Sequence, residues 1–335
     1  MRHAAKRIRR AGAEAVVNAL VGLVERLRES RGFRHKSDIS GVLSRLPAFA
    51  YSVPNVPIGD DCAAIPDGDG YLLFAIEGLV SDFVRAMPWF AGYSGVMVNV
   101  SDIYAMGGRP LAVVDALWSG DAQAASDVLA GMAAASSAYR VPIVGGHSNV
   151  RSDGAQLAVA IVGRAKKLLT SFDARPGDAL VMAVDLRGHF EEPYPFWNAS
   201  VGAPAGRARG DYELLPALAE DGLCDAAKDI SMAGALGTAL MLVECSKAGV
   251  RIDLDALPCP EGVDFERWLT AFPSFGFVLS VRPEHVDEVL ARFASRDLAS
   301  AVIGEVDASS EVVLTRDGDA ALLWNLNEEP FICAR

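Results

Sequence analysis

The stretch from residue 71 to 118 constrains the fold more than any other part of the chain. YLLFAIE (71–77) reads as a strand, WFAGYSGVMVNVSDIYAM (89–106) as an apolar helix and LAVVDALW (111–118) as a second strand. The same rhythm continues with DAQAASDVLAGMAAASSAY (121–139), a helix with Asp121 near its start, then the short strand VPIV and the strand QLAVAIVGRA (156–165). In KKLLTSFDARPGD (166–178) a Pro-Gly-Asp turn breaks the pattern before a fresh strand, ALVMAVDL (179–186), so a second unit begins near residue 170. That unit holds an irregular stretch (187–210), helices around 212–221 and 231–248, and the strand-like FGFVLSV and SAVIGEV on either side of a helix at 283–295. Alternating strands and helices define a mixed α/β class.

Ahead of this core, residues 13–30 place Val17, Leu20, Val21, Val24 and Leu27 at helical spacing, and Asp38 or Ser40 is placed to cap a short helix in RHKSDISGVLSRL. Residues 1–36 carry a net charge of +7 and the remainder −19, giving −12 for the 335-residue chain. Such an acidic body does not suit nucleic acid, and the basic arm reads as a solvated helix end. No apolar run is long enough to span a bilayer and MRHAAKRIRR lacks the features of a secretory signal, so the expectation is a cytoplasmic protein with no membrane partner. Cys62, Cys224, Cys245, Cys259 and Cys333 are scattered, odd in number and without a CxxC pair, which argues against a disulfide framework and a zinc site.

Three acidic segments carry the candidate chemistry. In NVSDIYAMGGRP (99–110), Asn99 and Asp102 share one face of an otherwise apolar helix that ends at Gly107 and Gly108. A carboxylate buried there needs a partner, and a metal ion or nearby backbone amides would serve equally. IGDDCAAIPDGDG (58–70) offers the adjacent pair Asp60 and Asp61, weak evidence alone because paired aspartates are common in turns. In AAKDISMAGALGTAL (226–240), Asp229 precedes a glycine-punctuated helix expected to start at Ser231, a position that suits phosphate oxygens but also suits an Asp capping its own helix. Hard oxygen donors without a His/Cys cluster fit Mg²⁺ held jointly by carboxylates and a polyphosphate.

GDDCAAI, NVSDIYAMGGRP, VGGHS (144–148), KDIS (228–231) and VIGEV (302–306) occur in the order and approximate spacing of the ATP-dependent superfamily of aminoimidazole ribonucleotide (AIR) synthetase, selenophosphate synthetase, thiamine-monophosphate kinase and the hydrogenase-maturation dehydratase, which this chain resembles over roughly residues 55–306. The resemblance implies an N-terminal helical segment (1–54), an ATP/Mg-binding domain (55–168) that contributes strands to a homodimeric barrel, and a C-terminal α/β sandwich (169–335), with ATP in a cleft between the halves. Carried onto this sequence it makes Asp60, Asp61, Asp102 and Asp229 metal ligands, and Asn99, Glu77, Gly145, Gly146 and Ser231 nucleotide contacts. Glu77 stands where the family usually has aspartate, and His147, a candidate general acid or base, stands where two members carry an acid after the paired glycines. No cysteine precedes Cys62, which disfavours selenium chemistry, and Met232 and Ala233 replace a Gly- or Asp-Gly-rich turn.

The function expected is Mg²⁺-ATP-dependent phosphoryl transfer to, or phosphate activation of, a small molecule. The aromatic loop 190–209 with Arg207 and Arg209 would suit an anionic one, although aromatics at such spacing more often pack a loop onto its own domain. His189 stands where AIR synthetase has a glycine-histidine pair. The alternative is a nucleotide-binding partner or scaffold that has lost turnover.

Overall fold

The computed structural model describes residues 19–43, 45 and 58–332. Val17 and the start of the helix expected over 13–30, the 54/55 domain boundary and Cys333 lie outside the described residues. Helical residues 19–29 (α1) are followed by α2 (Arg31–Leu43). The expected caps Asp38 and Ser40 fall inside α2, where the Ser37 and Ser40 hydroxyls donate to the Arg34 and Ser37 carbonyls.

The described chain folds as two compact units. Among the described residues, one comprises 58–170 together with Ala199–Leu223; the other comprises α1, α2, Arg45, Ser171–Asn198 and the chain from Cys224.

The first unit is built on a five-stranded sheet, β1 (Ala63–Asp67), β2 (Gly70–Leu79), β3 (Arg109–Trp118), β4 (Ile143–Asn149) and β5 (Gln156–Ala165), in the order β1-β2-β5-β3-β4. Only the β3–β4 pair is parallel, because α5 (Ala122–Tyr139) connects those two strands, and Asp121 caps it by accepting from the Gln123 and Ala124 amides. The short α3 (Ser81–Ala86), unforeseen from the sequence, leads into α4 (Pro88–Ala105), which is buried on nearly every side. Alternation along β5 sends Leu157, Val159 and Ile161 to the helix-covered face. A Cβ on Gly95 of α4 would sit 3.0 Å from Val159, and Ile103 lies against Gly163. Helices α6 (Arg207–Tyr212) and α7 (Leu214–Glu220) complete this unit.

In the second unit a seven-stranded sheet runs β15-β14-β10-β13-β6-β12-β9, formed by β6 (Ala179–Val184), β9 (Ala226–Asp229), β10 (Gly249–Asp253), β12 (Gly276–Val281), β13 (Ala299–Asp307), β14 (Glu311–Arg316) and β15 (Asp319–Asn325). A small sheet of β7 (His189–Phe190), β8 (Phe196–Asn198) and β11 (Phe272–Pro273) stands beside it in the same unit. Helix α8 (Gly234–Cys245) contributes Leu236, Leu240 and Val243 to a core that also takes Leu20, Val24 and Leu27 of α1 and Phe33 of α2. Burying these apolar side chains is worth roughly 1.5–3 kcal/mol each, so the N-terminal helices are integral to this unit.

One sequence reading is corrected here. The helix expected from Ser231 begins at Gly234, whose positive φ of 66° and close approach to the Leu269 carbonyl exclude a side chain. The N-cap position is Ala233, so Asp229 does not cap this helix. The aromatics of 190–197 pack into their own unit: Phe190 and Trp268 each meet Trp197 edge-on, and Tyr194 stacks on Phe196.

Candidate functional site

In the first unit, Asp61 and Asp102 each offer a carboxylate oxygen within 4.8 Å of the other. Asp102 lies in the last turn of α4 and is buried, whereas Asp61 is half-buried just before β1. The site thus joins two segments some forty residues apart in sequence. Asp60, the other member of the pair, turns its Oδ1 back to accept from the Asp61 amide at 3.0 Å. That local bond to the next amide distinguishes two neighbours the sequence treats alike.

Asn99 lies one turn before Asp102 and is wholly buried. Its Nδ2 donates to the Gly95 carbonyl at 2.7 Å, and no described residue donates to its Oδ1. A buried amide oxygen without a donor costs about 1–3 kcal/mol, so its retention beside two converging carboxylates calls for a ligand. Mg²⁺ binds oxygen at about 2.1 Å and keeps several waters, so two oxygens at this spacing can hold it with a shift of a few tenths of an ångström or through one of those waters. The donors are all hard oxygens, and the residues present fit the ion.

The sheet register sorts the other candidates. Glu77 pairs across β5 with Val159, which pairs with Asp115 of β3, which pairs with Gly146 of β4. Side chains in one such row share a face, so Glu77 and Asp115 stand on the α4 side of the sheet. His147 pairs with Ala116 and stands on the opposite face, its ring 6.0 Å from that of Trp118. The two glycines before His147 differ: a Cβ on Gly145 would meet only Val114, at 3.9 Å, but one on Gly146 would lie 2.3 Å from Asp115 Oδ1. Gly146 therefore makes room for a carboxylate of this chain.

Sequence reasoning missed Asp115. Its Oδ2 is buried with no hydrogen-bond partner among the described residues, and burial raises its pKa above the usual carboxylate value. One acidic residue in the apolar strand LAVVDALW was the available signal, but only the register gives it a face.

In the other unit, Asp229 ends β9 and is 4% exposed, beside the equally buried Lys228. Ser231 follows in the turn before α8, its amide 3.4 Å from Thr238 Oγ1. Gly32 of α2 abuts the Met232 carbonyl, so chain rather than open space meets this turn. His189 Nε2 lies 3.4 Å from Glu191 Oε1, which also accepts from Asn198 Nδ2 at 2.6 Å. The two arginines singled out with the aromatic loop belong to the first unit: Arg207 donates to the Ala199 carbonyl and Arg209 lies 3.5 Å from Glu213.

Comparison with known proteins agrees with this architecture. Residues 59–165 match the AIR synthase related protein N-terminal domain and residues 206–317 its C-terminal domain. An uncharacterized protein of Synechocystis sp. is 47% identical over 314 residues, covering 93% of this chain and 97% of its own. Another from Methanocaldococcus jannaschii is 34% identical over 282 residues, covering 83% and 87%. A thiamine-monophosphate kinase of Pyrococcus abyssi is 35% identical over 138 residues, 38% of this chain and 43% of that protein. Among solved structures, T. maritima PurL complexed with ATP superposes with a TM-score of 0.70 at 21% identity over 89% of this chain, which spans about half (49%) of the PurL chain. AaThiL complexed with AMPPCP and TMP gives 0.64 at 22% identity, covering 84% of this chain and 91% of its own. The chain belongs to the AIR synthase related family, with the two-domain α/β fold of that family. The family boundaries and the compact units do not coincide, since residues 206–223 match the C-terminal description yet pack within the first unit.

Proposed function

We propose that this chain binds a Mg²⁺-nucleoside triphosphate, ATP by its relatives' example, and uses it to transfer phosphate to, or activate by phosphorylation, a small molecule. The convergence of the Asp61 and Asp102 carboxylates beside the unsatisfied Asn99 oxygen carries the reading. When bound, the ion neutralises the triphosphate and polarises the transferred group. Asp61 and Asp102 would hold it, and Asp229 is the third carboxylate we assign to it. Asn99 would orient a metal-bound water or a phosphate-linked donor through Oδ1. Glu77 and Asp115 add negative charge on the same sheet face, which favours a cation there over a bare anion. Ser231, Gly145 and Gly146 remain nucleotide contacts in this reading, with His147 as candidate acid or base and a small anionic acceptor. Family likeness supports these assignments.

We assign the bare face of the five-stranded sheet to a second copy of the chain. Phe74 (51% exposed), Ile76 (65%) and Val114 (41%) lie on the side away from α4, with Ala112, Ala160 and Val162 in the same rows. An apolar face of this kind on an isolated unit marks an interface. Among the described residues no helix is long and apolar enough to cross a membrane.

The test is calorimetric titration of the full chain with ATP in the presence and absence of Mg²⁺, followed by ADP release assays with pools of small metabolites. Magnesium-linked binding and turnover, both lost in Asp102→Asn, support the enzyme. Binding without turnover in any pool supports the scaffold alternative, and no magnesium-linked heat refutes both.

A further inference from the structure

The motif that carries Asp102 has a second half whose contacts point elsewhere. Asp102 sits in the last turn of α4, the part of a helix whose hydrogen bonds open most readily. Its own carbonyl accepts from the Met106 amide at 3.3 Å, so any loosening of this end moves the carboxylate. Four residues hold that end through contacts that all lie within the first unit. The Tyr104 hydroxyl donates to Glu213 Oε1 at 3.0 Å. Arg109 donates through Nε to Glu213 Oε2 at 2.7 Å and through Nη1 to Glu220 Oε1 at 2.6 Å. Gly107, with φ of 72°, lies where a Cβ would be 2.9 Å from the Lys167 carbonyl and 3.2 Å from Ala219 of α7. The Met106 carbonyl accepts from the Leu169 amide at 3.2 Å.

We infer that Arg109, Glu213 and Tyr104 are positioning residues for the metal-binding carboxylate of Asp102, forming a clamp that fixes the end of α4. The inference rests on the function proposed above. NVSDIYAMGGRP thereby serves two roles, with Asn99 and Asp102 facing the ligand while Tyr104, Gly107 and Arg109 dock α6 and α7. Glu213 and Glu220 come from the segment that matches the C-terminal family domain, so two stretches about a hundred residues apart must co-fold before Asp102 has a fixed place. Arg109 is the residue whose fork can satisfy two carboxylates at once, which a lysine cannot reproduce. Arg209, 3.5 Å from Glu213 Oε1, joins the same cluster, so two arginines balance two glutamates there.

The experiment uses the full chain and Mn²⁺ with AMPPCP as the probe, read by electron paramagnetic resonance, with amide hydrogen exchange over residues 103–109 and thermal unfolding measured on the same samples. Glu213→Gln is expected to weaken Mn²⁺ binding about tenfold, the size of effect that groups outside the ligand shell exert on metal affinity. Tyr104→Phe, which removes one hydroxyl and keeps the packing, is expected to weaken it about threefold and to speed exchange at residues 106–108 without lowering the unfolding temperature by more than about 2 °C. Arg164→Ala, which breaks an exposed pairing with Asp67 and Asp69 in the same unit, is the control and leaves Mn²⁺ binding unchanged. Faster exchange in Tyr104→Phe and Glu213→Gln with wild-type Mn²⁺ affinity would reduce the clamp to packing and overturn the inference, as would equal weakening in the control. Absence of Mn²⁺ binding in the wild type would instead defeat the function on which the inference rests.

Discussion

The two faces of the five-stranded sheet are made from the same strands and differ in what they bury. On the α4 side, Leu73, Val113, Leu117, Val159 and Ile161 are almost inaccessible; Asp115 is set among them, half-buried, and Glu77 lies exposed toward the end of β2. On the other side, Phe74, Ile76 and Val114 lie open. A face that is already covered can afford acidic groups only where a ligand or a glycine makes room for them, and an apolar face left open is incomplete until something covers it. In the function proposed above, chemistry and assembly are divided between opposite sides of one sheet, one residue apart along each strand.

The division can be broken from the open side first. Ile76→Lys should separate the copies: burial of an isoleucine is worth about 1.5–3 kcal/mol and a two-fold interface loses it twice, a weakening of a hundredfold or more. Sedimentation at micromolar concentration would show a monomer, with magnesium-linked nucleotide binding measured in parallel to learn whether assembly is required for the site. A wild-type chain that is itself monomeric would refute the assignment of this face. On the covered side, Gly146→Ala drives a methyl into the Asp115 carboxylate and should cost about 1–3 kcal/mol, with part of the loss recovered in Gly146→Ala/Asp115→Ala, where the Asp115 carbonyl, 2.9 Å from the new Cβ, remains. Denaturant unfolding of the four variants closes the cycle, and additive losses would mean that the two residues do not meet.

The smallest effect concerns pH. Burial raises the Asp115 pKa, so folding favours its protonated form, and the native state binds the proton more tightly than the unfolded chain. Stability contributed by this group is therefore present below the unfolded carboxylate pKa and is lost as pH rises through the raised native value. Asp115→Asn should remove that slope, gaining less than about 1 kcal/mol over wild type at neutral pH after solvent screening and nothing near pH 4. Parallel slopes in thermal melts from pH 4 to 8 would show that Asp115 is not the group responsible.

Local patterns made much of this legible. Strand β5 coincides with QLAVAIVGRA, α5 with its Asp121 cap was readable from spacing and cap chemistry, and α4 stood out because its apolar run ends at glycines. Only Gly107 of the two adopts positive φ; Gly108 is needed because a Cβ there would strike Leu73. What sequence could not supply was pairing across distance. The face occupied by His147 depends on a register shift between β3 and β4, the partners of Arg109 lie more than a hundred residues away, and the start of α8 is set by Leu269 and Thr270 packing on Gly234. Ser37 and Ser40 show a further ambiguity, since a serine that can cap a helix can equally bond back to the preceding turn from within one.

The central claim is that Asp61 and Asp102 hold a divalent ion that brings a triphosphate to this chain. Mn²⁺ titration with AMPPCP, compared between wild type, Asp60→Asn, Asp61→Asn and Asp102→Asn, tests it most directly. Mn²⁺ binding is expected to be saturable and nucleotide-dependent, with Asp61→Asn and Asp102→Asn each weakening it about a hundredfold and Asp60→Asn far less, because its carboxylate turns back to the backbone. Unchanged Mn²⁺ affinity in Asp102→Asn, or an equal loss in all three, would contradict it.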